Sequence, residues 1–241
     1  MTTEQRRLWK QAFGDTDAFL DTFEQTAYAE ERSHTLTVDG QLAAALYWFD
    51  CMVEGQKAAY IYAVATEATY RGRGLCRRLM EETHTRLREQ GYDSALLVPG
   101  EPPLVAMYEK MGYRVATTAA KRTVTAGQPL PLQPIDLNAY AAVRRRLLPK
   151  GGVVQEGENL RFLSAYHTLY AGEDALCAVR REGDTLVIAE LLGNAEPADV
   201  VAALACPCGN LRSADGITPY AMWLPLKETA LCPTYFGLSF E

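Results

Sequence analysis

Arg71-Gly72-Arg73-Gly74-Leu75-Cys76-Arg77-Arg78 is the stretch on which the reading of this chain turns. It follows an apolar, aromatic run, Lys57 to Thr66 (KAAYIYAVAT), that predicts a strand. It opens a segment in which Leu75, Leu79, Met80 and Leu87 share one helical face up to Gly91, a suitable C-terminal cap. Four arginines and two glycines therefore stand where a strand passes into a helix. A helix N-terminus carries about half a positive charge, so cations in its first turn cost roughly a few tenths of a kcal/mol. Helix preference would not select them. Turn amides freed by glycine, the helix dipole and forked arginine donors together suit phosphate oxygens, and the segment predicts a site for a polyanion such as a pyrophosphate.

Fixed offsets separate the phosphate loops that could occupy such a place. A dinucleotide fingerprint needs a third glycine where Arg77 stands, and a Walker A loop needs Gly-Lys-Ser/Thr; neither is present. The segment resembles instead the acetyl-coenzyme A loop of the GCN5-related N-acetyltransferase (GNAT) family, Gln/Arg-x-x-Gly-x-Gly/Ala between the fourth strand and the next helix. Arg71 and Gly74 fit, and Cys76 replaces the last small residue, where its Cβ and sulfur narrow the approach of phosphates. The flanks extend the likeness. Ser94 to Val98 predicts a short buried strand, and Leu104 to Gly112 (LVAMYEKMG) a helix leading into Tyr113-Arg114-Val115-Ala116, similar to the family's Tyr-Glu-x-x-Gly-Phe/Tyr segment. The resemblance covers about residues 30 to 125.

The resemblance implies an α/β (α+β) fold with a GNAT-type mixed central sheet flanked by helices, and acetyl-coenzyme A as cosubstrate. Arg71, Gly72, Arg73, Gly74, Leu75 and Cys76 would hold the pyrophosphate, and backbone groups of Val64, Ala65 and Thr66 would pair with the pantetheine amides. Tyr108 matches the tyrosine that protonates the departing thiolate, with core packing as its other reading. The family's usual asparagine seven residues earlier is Glu101 here, followed by Pro102-Pro103. Tyr60 holds the place of the strand glutamate that serves some members as base. Glu67, Asp50, Glu54 and the C-terminal Glu241 remain as carboxylates for that task, beside a water relay. The implied activity is acetyl transfer to a primary amine of a small molecule or peptide. The alternative is a coenzyme A-binding regulatory or structural protein.

At 241 residues the chain exceeds one such domain. Gly127-Gln128-Pro129-Leu130-Pro131 to Pro134 breaks regular structure, giving a GNAT domain over 1–128 and a C-terminal α+β domain over 138–241. There, Leu160 to Tyr170 and Pro197 to Cys206 predict helices, and Ala175 to Val179 and Thr185 to Leu191 a hairpin. Tyr220 to Leu226 and Tyr235 to Phe240 predict two closing strands. This order fits either a degenerate second GNAT-like domain or a smaller unrelated cap. Glu196 and Asp199 stand where its phosphate loop would lie, so it is expected to bind no coenzyme A.

Composition narrows the partners. A net charge of −6 argues against nucleic acid, and Arg144-Arg145-Arg146 is expected to be a solvated run. Asp15, Asp17, Asp21, Glu24, Glu30 and Glu31 near the N-terminus suit a cationic acceptor or an ordinary charged surface. No apolar run approaches the ~20 residues of a membrane span and the N-terminus has no signal core, so no membrane partner and a cytoplasmic location are expected. His34, His84 and His167 stand apart, Cys206-Pro207-Cys208 supplies two ligands at best, and no metal is expected.

Overall fold

The structure, a computed structural model, describes residues 1–240. The chain forms two compact units, Met1–Arg114 with Met222–Cys232, and Val115–Ala221 with the segment from Pro233 onward. This division differs from a single boundary near residues 127–137. The first sheet borrows a strand from late in the chain, and the second takes in residues expected to finish the first domain.

The first unit begins with α1 (Thr3–Phe13), opened by a capping box between Thr2 and Gln5, and α2 (Asp17–Thr26), capped by Thr16. Strands β1 (Ser33–Val38), β2 (Gln41–Val53) and β3 (Gln56–Thr66) follow, then α3 (Leu75–Glu89), β4 (Ser94–Leu97) and α4 (Pro102–Glu109). The two-residue β5 (Arg114–Val115) ends this run. After a long excursion the chain returns as β13 (Met222–Pro225), antiparallel to β4, with Met222 opposite Leu97 and Pro225 opposite Ser94. Within the unit the order is β1-β2-β3-β4-β13. The strand expected over 220–226 therefore belongs to the first sheet, because Met222 has a fully buried place beside Ala95, Leu97 and Leu79.

Alternation along β2 and β3 divides two layers of core. Trp48 and Ile61 face α3 and α4, packing with Leu79, Met80, Leu87, Tyr108 and Tyr113. Tyr47, Phe49 and Tyr62 face the other way, toward Trp9 of α1 and Phe23 of α2, with ring centroids 4.8–5.6 Å apart for Trp9–Phe23, Phe23–Tyr47, Tyr47–Phe49 and Trp9–Tyr62. Tyr47, Trp48 and Phe49 are thus buried core, whereas Tyr62 is half-buried.

The second unit contains β6 (Thr118–Thr125), β7 (Gln133–Pro134), α5 (Leu137–Leu147), β8 (Val153–Gln155) and α6 (Glu158–Ser164). It continues with β9 (Thr168–Ala171), β10 (Ala175–Glu182), β11 (Thr185–Gly193), α7 (Pro197–Ala203) and β12 (Cys208–Pro219). Its sheet order is β6-β12-β11-β10-β9-β7. Three expectations are corrected here. The helix over 160–170 stops at Ser164, and Leu169 and Tyr170 belong to β9, whose inward leucine mimics a continued helical period. Tyr235–Phe240 forms no strand, only a bridge from Tyr235 to Gly152. Arg144 is not solvated: its side chain is buried against Glu190 of β11, whereas Arg145 is exposed and pairs with Glu156.

The two units repeat one local design. In each, an antiparallel pair carries an irregularity, between Ala45 and Tyr47 in β2–β3 and between Ala178 and Val179 in β10–β11. In each, the second strand then pairs in parallel with the strand beyond a helix over a short span: Ala58–Tyr60 with Ser94–Leu96, and Thr185–Ile188 with Cys208–Leu211. The second unit accordingly resembles a GNAT domain in its strand plan.

Candidate functional site

The parallel pairing of β3 with β4 ends at Tyr60, yet β3 continues to Thr66. From Ile61 onward the side of β3 that faced β4 is released from the ladder. The irregularity against β2 falls in the same stretch, where Ala63 adopts φ 51°. A non-glycine residue in the left-handed region costs roughly 1–2 kcal/mol, and here it re-aims the backbone of the strand end. Val64 packs on the α3 core, Ala65 is buried beside Leu8 and Leu42, and Ala65 and Thr66 pair with Ala45 and Ala44 of β2. The three strand residues named from sequence thus lie together on the released segment.

Residues 67–74 carry this strand end to α3. Gly72 and Gly74 both have φ 76°, and around Gly74 a side-chain Cβ would meet nothing within 4 Å. Gly74 is the N-cap of α3, with no side-chain cap and no acid in the first turn. A helix start without a side-chain cap leaves its first amides without intrahelical partners, a feature that suits an anion. Leu75 and Cys76 are half-buried, and burial pushes the Cys76 thiol up from its ordinary pKa.

The arginine cluster separates into two pairs. Arg71 Nε donates to the Thr66 carbonyl at 3.1 Å, and the Arg73 guanidinium lies 5.3 Å from the Tyr70 ring centroid. Both belong to the loop and are exposed. Arg77 and Arg78 lie on the helix and pair with Glu81 at 4.0 Å and Glu82 at 2.7 Å. Four-residue pairs of this kind are ordinary helix-surface chemistry worth about 0.3–0.5 kcal/mol, so the loop pair carries the anion-binding argument.

Tyr108 sits near the end of α4, 6% exposed, within the core cluster that includes Cys76. The helix starts at the two prolines, which suit first-turn positions lacking a backbone partner, with Glu101 as N-cap. The Tyr108 ring meets Tyr113 edge-on at 5.8 Å, and the Tyr113 hydroxyl lies 2.8 Å from His84 Nε2. Burial first, and then the nearby Cys76, raise the Tyr108 pKa, so the phenol keeps its proton across the physiological range. Tyr113 and His84 were not singled out from sequence. His84 entered the sequence reading only as one of three histidines standing apart, and Tyr113 only as part of the segment after the helix.

The carboxylates considered as bases are engaged elsewhere. Glu67, 7% exposed, accepts from Arg7 Nη1 at 2.8 Å, Gln11 Nε2 at 2.9 Å and its neighbour Ala68 N at 3.0 Å. Burial alone would raise its pKa, but the Gln11 and Arg7 bonds outweigh this and hold it below the ordinary carboxylate value. Asp50 accepts from the Tyr92 hydroxyl and lies 3.7 Å from Arg32. Glu54 occupies the β2–β3 turn, at the opposite end of β3 from Thr66, a span of about 30 Å at roughly 3.3 Å per residue. Glu241 lies outside the described residues. Acids in α2 and in the link before it are also partnered: Asp17 and Asp21 with Arg6, Asp17 with Lys10, and Asp15 with Trp9 Nε1.

At the corresponding place in the second unit, Asp199 Oδ1 accepts from Gln128 N at 2.8 Å and Ala198 O accepts from Gly127 N at 2.8 Å, so chain segments already cover the start of α7. Among the described residues no three His, Cys, Asp or Glu side chains group to hold a metal, and no helix is long and apolar enough to cross a membrane.

Comparisons with known proteins bear on this geometry. A family model for the acetyltransferase (GNAT) domain matches residues 2–116. A probable N-acyltransferase from Enterococcus faecalis V583 is similar in structure, with TM-score 0.68 and 19% identity over 92% of this chain and 70% of that one. A GCN5-related N-acetyltransferase from Anabaena variabilis ATCC 29413 gives TM-score 0.70 and 18% identity over 94% and 71%. A tandem GNAT protein from the clavulanic acid biosynthesis pathway gives TM-score 0.53 and 10% identity over 89% of each chain. No curated protein matches the sequence. The structural likeness is one of fold, and with the matched residues it leads to one conclusion: the N-terminal part of this chain belongs to the GNAT acetyltransferase family.

Proposed function

We propose that the first unit transfers an acetyl group from acetyl-coenzyme A to a primary amine of a small molecule or peptide. The observation that carries this reading is the loop 67–74, in which Gly72 and Gly74 adopt left-handed conformations at the uncapped start of α3 with Arg71 and Arg73 beside them. Arg71, Gly72, Arg73, Gly74, Leu75 and Cys76 would hold the pyrophosphate, and the released backbone of Val64, Ala65 and Thr66 the pantetheine amides. The family membership of residues 2–116 supports the same assignment.

The chemistry is direct transfer. The amine nitrogen attacks the thioester carbonyl carbon, the carbon–sulfur bond breaks, and the nitrogen gives up one proton. The thiolate takes a proton from Tyr108, whose phenolate recovers one from the proton released by the amine. A raised phenol pKa keeps Tyr108 in the donating form. Exclusion of water from the same pocket makes the thiolate a stronger base and favours the transfer. The reaction needs no metal, and the scattered cysteines fit a reducing, cytoplasmic setting.

A coenzyme A-binding protein without turnover is the competing reading, favoured by the engagement of Glu67 and Asp50. Calorimetric titration with coenzyme A, followed by thiol release from acetyl-coenzyme A with a panel of amines, separates the two. Saturation at one coenzyme A per chain with amine-dependent thiol release supports the transferase. Binding without release supports the alternative, and absence of binding overturns both.

A further inference from the structure

Glu67 directly follows β3, and three hydrogen bonds use its carboxylate. Two come from α1, Arg7 Nη1 at 2.8 Å and Gln11 Nε2 at 2.9 Å, and one from the first loop amide, Ala68 N at 3.0 Å. Its backbone is equally occupied: Glu67 N donates to Ala43 O of β2 at 2.9 Å, and Glu67 O accepts from Tyr70 N at 2.9 Å. The next turn follows directly, Arg71 N donating to Ala68 O and Arg71 Nε to Thr66 O. One side chain therefore joins the first helix, the end of the released strand and the first turn of the loop. Arg71 ties the loop back to the strand end, but among the described residues Glu67 alone bonds it to α1; the N-cap of α3 has no side-chain bond, and Gly72 and Gly74 add conformational freedom rather than restraint.

We infer that Glu67 is a positioning residue that ties α1 to the root of the 67–74 loop, holding the loop in its anion-accepting shape before the cosubstrate arrives. The inference rests on the assignment of that loop to coenzyme A. A loop already ordered loses little conformational freedom on binding, so affinity gained by preorganisation disappears when the strut is cut. Glu67 touches no phosphate-binding side chain, and its effect passes through the backbone of residues 68–71. The same link gives α1, whose Trp9 packs against Tyr62 of β3, a direct mechanical connection to the loop.

The experiment combines amide hydrogen exchange with calorimetry. In the ligand-free protein, Glu67→Ala should speed exchange at Ala68, Tyr70 and Arg71 about tenfold, leaving the amides of β3 before Tyr60 unchanged. In titrations with coenzyme A, the dissociation constant should rise about tenfold at a temperature where wild type and variant are both folded, and Glu67→Gln, which keeps one acceptor oxygen, should fall between them. A residue that only stabilises the fold would lower the melting temperature without either local effect. If Glu67→Ala does not fold, the double variant Arg7→Met/Gln11→Met, which leaves the carboxylate on Ala68 N, decides the matter. Exchange at 68–71 and an affinity both within twofold of wild type would overturn the inference. Failure of wild type to bind coenzyme A would instead overturn the loop assignment, with the exchange result still reporting on the strut.

Discussion

Arg144 Nε lies 2.7 Å from a carboxylate oxygen of Glu190, with the two side chains 1% and 0% exposed. Arg144 Nη2 reaches the second oxygen at 2.9 Å, and the hydroxyls of Tyr140 and Tyr235 donate to the same carboxylate at 2.9 and 3.2 Å. The carboxylate is thereby saturated, and Gly237 passes so close that a Cβ there would lie 1.8 Å from it. A guanidinium taken out of water is costly, but the Glu190 charge more than compensates and keeps Arg144 protonated.

The pair predicts a non-additive mutational pattern. Glu190→Gln leaves a buried cation without its counter-charge and should destabilise the protein by about 3–5 kcal/mol. Adding Arg144→Met removes the stranded charge while the glutamine still offers an acceptor to the tyrosines, so the double variant should recover much of the loss. Urea midpoints at unchanged slope give the comparison. Losses that simply add would show that the two residues do not act as a unit.

His84 sets a pH dependence. Burial first, and then Arg88, lower its pKa from 6.5 to about 4, and it stays neutral beside Tyr113. Above pH 6.5 neither folded nor unfolded chain protonates it, and its contribution is fully present. Below 6.5 the unfolded chain takes up a proton that the folded one refuses, so stability falls as pH drops from 6.5 toward 4. The shift corresponds to roughly 3 kcal/mol across that window. His84→Gln should flatten the slope of stability against pH between those limits. An unchanged slope would assign the loss to other groups.

Two glycines at opposite ends of α3 separate strain from binding. Gly74 has φ 76° and Gly91 φ 82°, and around both a Cβ would meet nothing within 4 Å. Alanine at either should cost about 1–2 kcal/mol of stability through backbone conformation alone. If the pyrophosphate approaches this turn as proposed, only Gly74→Ala should also weaken coenzyme A binding, by tenfold or more, because its Cβ would obstruct that approach. Equal calorimetric affinities in the two variants would remove the loop from the binding site.

Local signals in both units were strong enough to read. KAAYIYAVAT became β3, the face of Leu75, Leu79, Met80 and Leu87 became α3, and the hairpin around Gly183 lies between β10 and β11. What escaped was non-local or polar. β12 carries Asn210, Arg212, Ser213, Asp215 and Gly216, residues that avoid strands when read alone, and its place is fixed by neighbours β6 and β11 on either side. β13 had the right strand pattern but the wrong home, because nothing local tells Met222 that its partner is Leu97. Arg144 within Arg144-Arg145-Arg146 looked solvated because charge periodicity cannot reveal a lone glutamate on a distant strand. Glu67 drew notice only as a carboxylate near the loop, since its bonds to Arg7 and Gln11 reach across 60 and 56 positions of sequence.

Tyr108 offers the sharpest test of the chemistry. Its ring is held by the core and by edge-on contact with Tyr113, so Tyr108→Phe keeps packing while removing the hydroxyl. Folding and coenzyme A affinity should change little. If the phenol protonates the thiolate, the chemical step should slow by about 10²–10⁴, the usual worth of general acid catalysis. Steady-state turnover can hide such a loss when product release is slow, so single-turnover acetyl transfer to an amine that reacts with wild type is the measurement. The pH profile adds a second readout. A phenol whose pKa is raised by burial and by Cys76 leaves the wild-type rate free of a phenol-linked fall at moderately alkaline pH, and the variant must draw its proton from water instead. Equal chemical-step rates and superimposable pH profiles for Tyr108→Phe and wild type would leave Tyr108 as a core tyrosine and nothing more.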